Sequence, residues 1–474
     1  MFCKSDVKDY KDSKKDIVVF LFKESICPKE IEDRLNYSIN DLIDKTEGKA
    51  TIIHTLGKYS FKKFIFICLG NINDFTIKKF KTIIKNNISI LNQNCLVDIN
   101  TIKNKNIKEN DLVHIFIETY LLTNYHFNGI EGEETTIPKI NLIVNETDES
   151  FILEKVQEAW FVNMARNLIN MPSNYLKQED FTEYVKQIAK ELNIQCEILG
   201  NKQLESIGAG GILAVNKGSN QEAKLIILRY KGIENEPFKA IIGKGVIYDS
   251  GGYCLKPSTS QITEKADMSG AASVLATISI LAKKKAKCNV MAIMPVVENL
   301  IGKDAYKCDD VITMLSGKTV EITNTDAEGR LILADGITYA CNQKEVESII
   351  DIATLTGACS KALGNVYTGI FSNSNEFYDK FKKASEQNYE NIWRLPINEE
   401  YTKVLKDTIV ADIKNSAGNS SVSSAGASVA AGFLSEFLSK DMPWIHLDIA
   451  GTALEDKCAT GVMIKTMVKF LETK

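Results

Sequence analysis

At 474 residues the chain exceeds what one hydrophobic core comfortably serves, so two domains are expected. Its 57 basic and 61 acidic side chains nearly cancel, and the net charge of −4 excludes a bulk electrostatic pull toward nucleic acid or an anionic membrane. Eleven cysteines, an odd number without CxxC spacing, argue against a disulfide framework and read as reduced thiols of a cytoplasmic protein.

The first residues, Met1-Phe-Cys-Lys-Ser-Asp6, lack the apolar stretch of a leader peptide, and no later run is long enough to span a bilayer, so neither is expected. Through residues 1–150, short apolar runs at 17–22, 64–69 and 140–144 alternate with Lys/Asn-rich stretches of helical character, an α/β pattern. The polar break 145–150 precedes an amphipathic helix over 151–172. Ile152, Val156, Ala159, Val162, Ala165 and Leu168 share one side of it and Pro172 ends it, so it is expected to link the two domains. Residues 173–474 alternate helices with strands at 194–199, 224–230, 240–242, 289–295, 348–353 and 444–449. The fold class is therefore α/β in two domains, the second with a mixed, mostly parallel sheet flanked by helices. The Ser/Gly-rich stretch 415–426 reads as a mobile surface loop.

Sites in such sheets form beyond the carboxyl ends of strands, and two polar clusters lie there. In the first, residues 239–242 enter Gly243-Lys-Gly-Val-Ile-Tyr-Asp-Ser-Gly-Gly252, followed by Leu255-Lys256-Pro257 and Lys265-Ala-Asp-Met268. Four glycines in ten residues allow tight turns and close approach to a ligand, with Lys244, Asp249, Lys256 and Asp267 interspersed. The plain alternative is a glycine-rich loop with surface lysines. The second cluster, Asn324-Thr-Asp-Ala-Glu-Gly-Arg330, puts Asp326, Glu328 and Arg330 at every second position. Extended backbone would point all three to one side, ahead of a helix with apolar residues at Leu331, Ala334, Ile337 and Ala340. Here the plain alternative is a solvated turn with a local ion pair.

Gathered in one pocket, Asp249, Asp267, Asp326 and Glu328 would repel one another until they bound protons or cations. Two divalent metals would neutralise them, and oxygen-rich ligation suits Mn, Zn or Mg. Lys244 could join only as a neutral amine, its pKa depressed by the dications. Lys256 and Arg330 would remain as positive groups able to stabilise a developing oxyanion, the need of peptide or ester hydrolysis.

The strings GKGVIYDSGG, LKP, KADMSGAA, NTDAEGRLILAD and DIATLTGA, in this order, resemble the leucyl aminopeptidase family of cytosolic two-metal exopeptidases, over roughly the last two thirds of the chain. The resemblance implies that 173–474 is a catalytic aminopeptidase domain releasing N-terminal residues from peptides, working as a homohexamer in the cytoplasm. It assigns Lys244, Asp249, Asp267 and Glu328 to one metal and Asp249, Asp326 and Glu328 to the other, the metals being Mn or Zn, with Mg or Co as alternatives. Lys256 would polarise the scissile carbonyl, and Arg330, with the backbone around Leu355 to Gly357, would hold a bicarbonate acting as general base. Glu264 stands where the family often has a Met lining the specificity pocket, which Thr354, Ala450 and Ala453 would complete. A carboxylate there points to basic as well as Leu side chains. Two departures are visible. Ala305-Tyr-Lys-Cys-Asp-Asp310 lacks the usual Pro-Gly pair, and 415–426 replaces a glycine-rich segment with an Arg.

Other chemistries find little footing. There is no G-x-S-x-G elbow, no HExxH and no P-loop among the motifs, and only four histidines, of which His446 reads as a core residue. Gly208-Ala-Gly-Gly211 imitates a dinucleotide loop but follows helical sequence. Some relatives of the family double as DNA-binding recombination accessories, an alternative that the balanced charge argues against.

Overall fold

The computed structural model describes residues 2–5, 10–91, 94–104, 106–130, 140–418 and 420–473; Met1 and Asp6 of the leader reading, and Asn419 of the Ser/Gly-rich stretch, lie outside them. The chain divides into two compact units, Met1–Asn163 and Met164–Lys474, and the division falls inside the helix Glu149–Asn170.

The first unit is built on a six-stranded sheet. Its order is Phe2–Lys4, Ile140–Ile143, Cys95–Asp98, Asp16–Leu21, Lys63–Cys68 and Ala50–His54, parallel except for the last strand. Strand periodicity of two sorts the side chains. Val18 and Phe20 join Phe80 and Phe116 of the helices Ile77–Asn86 and Glu109–Thr123 in one core. Ile17, Val19 and Leu21 join Ile31 and Leu35 of the helix Lys29–Leu35 in another.

The second unit carries a nine-stranded mixed sheet. Four neighbouring strands at its centre, Trp444–Asp448, Val346–Ala353, Phe238–Gly243 and Asn289–Asn299, are parallel, while Thr368–Ser372, Lys224–Lys231 and Gln195–Leu199 run antiparallel to their inner neighbours. The short strand Gly245–Asp249 pairs with the far end of Asn289–Asn299. Apolar residues of both strand faces are fully buried, as a sheet covered on both sides requires. On one face Ile242 and Ile293 pack with Leu331, Ala334 and Ile337 of the helix Glu328–Cys341. On the other, the helix Ser269–Lys283 approaches Gly243 so closely that an added Cβ would lie 2.4 Å from the carbonyl oxygen of Gly270.

A small sheet aligns the second motif. Thr319–Glu321 pairs with Val311–Thr313 and, in parallel, with Ile413–Lys414, which brings Asn415 beside Thr323 and Asn324. The period-two reading of Asp326, Glu328 and Arg330 does not hold. The helix begins at Glu328, so Glu328 and Arg330 occupy its first turn, and Asp326 sits in the tight turn that precedes it. They converge because the helix N-terminus, not a strand face, points at the cavity. Among the described residues no helix is long and apolar enough to cross a membrane.

Candidate active site: two lysines among the carboxylates

A cavity of about 640 Å³ opens beyond the carboxyl ends of the central strands. Its lining includes every residue singled out from the sequence: Lys244, Asp249, Lys256, Glu264, Asp267, Asp326, Glu328, Arg330, Thr354, Leu355, Gly357, Ala450 and Ala453. Several arrive from a strand end or a helix start, the rest from the loops and turns between them. Lys244 follows Phe238–Gly243, and Asp249 closes Gly245–Asp249. Asp267 precedes Ser269–Lys283, Thr354 follows Val346–Ala353, and Ala450 follows Trp444–Asp448.

The two lysines each bridge two acids. Lys244 Nζ lies 2.7 Å from Asp267 Oδ1 and 2.9 Å from Glu328 Oε1, and donates to the Thr354 carbonyl at 3.0 Å. Lys256 Nζ lies 2.9 Å from Asp249 Oδ2, 2.8 Å from Asp326 Oδ1 and 3.6 Å from Glu264 Oε2. Gly329 makes room for this packing, since a Cβ there would stand 2.6 Å from Lys244 Cε. Gly251, at φ +86°, turns the chain so that its N–H donates to Asp249 Oδ1.

Burial dominates the electrostatics. It pushes Asp249 up to about 7, aided by Glu328, and raises Asp267 and Asp326 as well. Burial works against the charge of Glu328 too, but Lys244 and Lys256 hold it below the usual carboxylate range. Burial likewise opposes the lysine charges. Asp267 and Glu328 outweigh it at Lys244, and Asp249 and Asp326 at Lys256, so both stay above their ordinary values.

Five carboxylates, counting Glu264, thus face two ammonium groups, and the pairing is incomplete. Asp267 Oδ2 and Glu328 Oε2 are buried without a hydrogen-bond partner. Orphaned buried carboxylate oxygens are costly unless a cation takes them. Oxygens of Asp249, Asp326 and Glu328 lie within 4.8 Å of one another, as do oxygens of Asp249, Glu264 and Asp267. The donor set is therefore one that fits two hard or borderline divalent cations sharing Asp249. Glu264, read from the sequence as a pocket residue, supplies an oxygen to the second group.

Several supporting residues escaped the sequence reading. Asn299, fully buried, donates to Asp249 Oδ1 at 2.7 Å and to the Thr325 carbonyl at 3.0 Å, tying the two motifs together. Asn415 accepts from Thr323 and Asn324 N–H, and its carbonyl receives Arg330 Nη1 at 2.7 Å. The stretch 415–426 is thus no detached surface loop: Asn415 is buried, and Ser416 and Gly426 line the cavity. Asp448 accepts from the N–H of Leu355 and Ala450 and from Thr356 Oγ1, fixing the turn opposite Arg330. An acid ending an apolar strand was the available signal for it. Arg330 Nε is buried without a partner, and burial lowers the guanidinium to about 10.

Away from the cavity lining, His446 is a core residue, 2.5 Å from Asp351 Oδ1. Gly208 ends the helix Asn201–Ile207 at φ 79°, so the dinucleotide-like string is a helix cap. Asp309, where the resemblance leads one to expect glycine, adopts φ 71°, the left-handed conformation that glycine favours.

The fold and this lining define an α/β enzyme with a carboxylate-rich, cation-accepting centre at the ends of parallel strands. Comparison with known proteins narrows the class. Residues 163–468 match the catalytic domain of the cytosol aminopeptidase family and residues 18–132 its N-terminal domain. The chain is 35% identical to a probable cytosol aminopeptidase of Bacillus licheniformis, covering 98% of each chain. It is also 35% identical to one of Bacillus subtilis, over 96% of this chain and 95% of that one. The solved bottromycin maturation enzyme BotP in complex with Mn superposes with a TM-score of 0.84 at 25% identity, covering 97% of this chain and 99% of its own. The chain belongs to the cytosol aminopeptidase family and is a hydrolase of the leucyl aminopeptidase type.

Proposed function

We propose that this aminopeptidase uses two divalent cations, held by Lys244, Asp249, Asp267 and Glu328 on one side and by Asp249, Asp326 and Glu328 on the other. Lys244 gives up its ammonium proton and joins as the neutral amine when the cations replace it beside Asp267 and Glu328. The observation that carries this reading is the buried carboxylate cluster with two oxygens left unpaired, Asp267 Oδ2 and Glu328 Oε2. Such a cation pair, Mn or Zn with Mg or Co as alternatives, supplies carbonyl polarisation and a nucleophilic water near neutral pH. BotP, solved with Mn, supports metal dependence.

The chain's own groups do the rest. Lys256, on the cavity wall, donates to the scissile carbonyl oxygen as negative charge develops there. Arg330, with Nε free of protein acceptors and Nη1 anchored on Asn415, holds a bicarbonate that moves the proton. The backbone N–H of Leu355 is already given to Asp448, so Arg330 and the start of the helix Gly357–Leu363 carry the anion. Release of an amino acid from a Leu dipeptide, abolished by a chelator and restored by Mn or Zn, is the expected result. Hydrolysis indifferent to chelation would sink the metal reading.

Substrate preference rests on Glu264, buried enough that desolvation raises its carboxyl, with Thr354, Ala450 and Ala453 as the small neutral remainder. Lys- and Arg-amides are expected to be cleaved at least as well as Leu-amide, through a charge-assisted hydrogen bond worth roughly 1–3 kcal/mol. An Arg:Leu ratio of kcat/KM that is the same in Glu264→Met would discard this. We further propose a cytoplasmic homohexamer, with the catalysis confined to 173–474. The names of the relatives and the thiol-rich composition support the compartment. A monomeric mass by light scattering would rule out the assembly. The DNA-binding alternative gains no support from the relatives, which carry a peptidase name, or from the charge balance.

A further inference from the structure

Cys254 and Cys308 bring their sulfurs to 3.6 Å from each other at the edge of the cavity. Fifty-four positions separate them in sequence, so the approach is a product of the fold. Cys254 is half-buried and lines the cavity; Cys308 is exposed. Both thiols rest on one short segment. Cys308 Sγ donates to the Thr323 carbonyl, and Cys254 Sγ accepts from the Thr325 N–H at 3.4 Å. The Cys254 N–H also donates to Thr325 Oγ1 at 2.7 Å. That segment leads directly into Asp326, and the Cys254 loop leads within two residues to Lys256, which pairs with Asp326 at 2.8 Å.

We propose that Cys254 and Cys308 form a reversible disulfide that places the activity under thiol–disulfide control. A disulfide requires the sulfurs to close to about 2.05 Å, a movement of roughly 1.5 Å that rotation of the two side chains and a small loop shift supply. Transient disulfides of redox-sensing type are the kind found in reducing compartments. The oxidant is a low-molecular-weight disulfide such as glutathione disulfide. The exposed Cys308 thiolate attacks one of its sulfurs, forming a mixed disulfide and releasing one glutathione thiolate. The Cys254 thiolate then attacks Cys308 Sγ and expels the second. In sum, two protein thiols are oxidised to one disulfide and glutathione disulfide is reduced to two thiols. The bond removes the Cys254 sulfur from the Thr325 N–H and pulls the loop that carries Lys256, and misplacement of a reacting group by about 1 Å costs about 100-fold in rate.

The effect on turnover rests on the aminopeptidase reading above; the disulfide does not, and the two are read separately. The Mn-loaded full-length enzyme is incubated with glutathione disulfide, digested with trypsin without reduction, and weighed. The expected product is peptide 245–265 linked to peptide 308–318, with dipeptide turnover down about 10- to 100-fold and restored by dithiothreitol. Cys308→Ser should start at wild-type activity and keep it under the oxidant. Recovery of both peptides as free thiols or separate glutathione adducts, while other cysteines oxidise, overturns the site. A linked pair with unchanged turnover overturns the control of activity. Absence of turnover in the reduced enzyme would instead count against the peptidase reading, with the linked mass still deciding the disulfide.

Discussion

The two units use the same construction, parallel strands feeding loops at their carboxyl ends, yet buried acids at one place in the second unit are left incompletely paired. In the first unit Asp98, at the end of Cys95–Asp98, accepts from Tyr10 Oη at 2.5 Å and from the Asn100 N–H at 2.9 Å. Glu118, also buried, pairs with Lys81 at 3.0 Å. In the second unit Asp249, Asp267 and Glu328 are as deeply buried, but acids outnumber the ammonium groups they touch, and Asp267 and Glu328 each keep an unpaired oxygen. Among the described residues both carboxylate groups able to hold a cation fall in the second unit. Satisfied buried charge holds a fold together; unsatisfied buried charge marks a place where a ligand completes it.

This contrast is broken most severely at Glu328. Glu328→Ala should abolish essentially all turnover and release the cations, because in the proposed arrangement this residue serves both sites and losing it would cost several kcal/mol of metal binding. Two metals per subunit with normal turnover would disprove the bridging role. Next in size is Lys256→Ala, expected to cut kcat by about 10²–10³ with metal content intact, since its proposed contact is with the transition state. Arg330→Ala should lose about tenfold, equivalent to roughly 1.4 kcal/mol, together with any stimulation by bicarbonate. Bicarbonate dependence equal to wild type would remove Arg330 from the mechanism.

In the first unit the same kind of change should behave differently. Asp98→Ala leaves Tyr10 Oη without its acceptor and is expected to destabilise by about 1–3 kcal/mol, read as a lower Tm, with kcat untouched. A fall in kcat at full folding would mean the two units are not separable in function. The finest test concerns pH. Burial raises Asp249 from 3.8 to about 7 in the folded, metal-free chain, so between those values the folded state holds a proton that the unfolded state has released. Stability of the chelated protein should therefore fall as pH rises through this window. Asp249→Asn should flatten that part of the slope, and added cation should remove it in the wild type. An identical slope in the variant would assign the effect to other groups.

The α/β class, the mixed sheet and the seven charged cavity residues Lys244, Asp249, Lys256, Asp267, Asp326, Glu328 and Arg330 were legible in the chain, because glycine-rich, charged strings are local signals and periodicity marks the strands between them. Glu264, Thr354, Leu355, Gly357, Ala450 and Ala453 came only from the family resemblance. Legibility ended where contacts are made between distant segments. Asn415 looked like part of a featureless Ser/Gly stretch, yet the pairing of Ile413–Lys414 with Thr319–Glu321 seats it under Arg330. Asn299 and Asp448 look like ordinary strand ends until their partners, Asp249 and Leu355, are brought across the sheet. The spacing of Asp326, Glu328 and Arg330 suggested a strand, but a helix start presents them, since a two-residue period is equally compatible with three points around one terminus.

By itself the sequence determined which groups are available and in what order: four acids, two lysines and an arginine, carried on loops and element ends. The tertiary structure alone decided which of them meet. It set Lys244 between Asp267 and Glu328, Lys256 between Asp249 and Asp326, and Cys254 against Cys308. The reason is physical. Charge and conformational preference are properties of single residues, whereas the low dielectric that makes an unpaired oxygen expensive, and so turns an acid cluster into a cation site, exists only once the sheet and helices have closed around it.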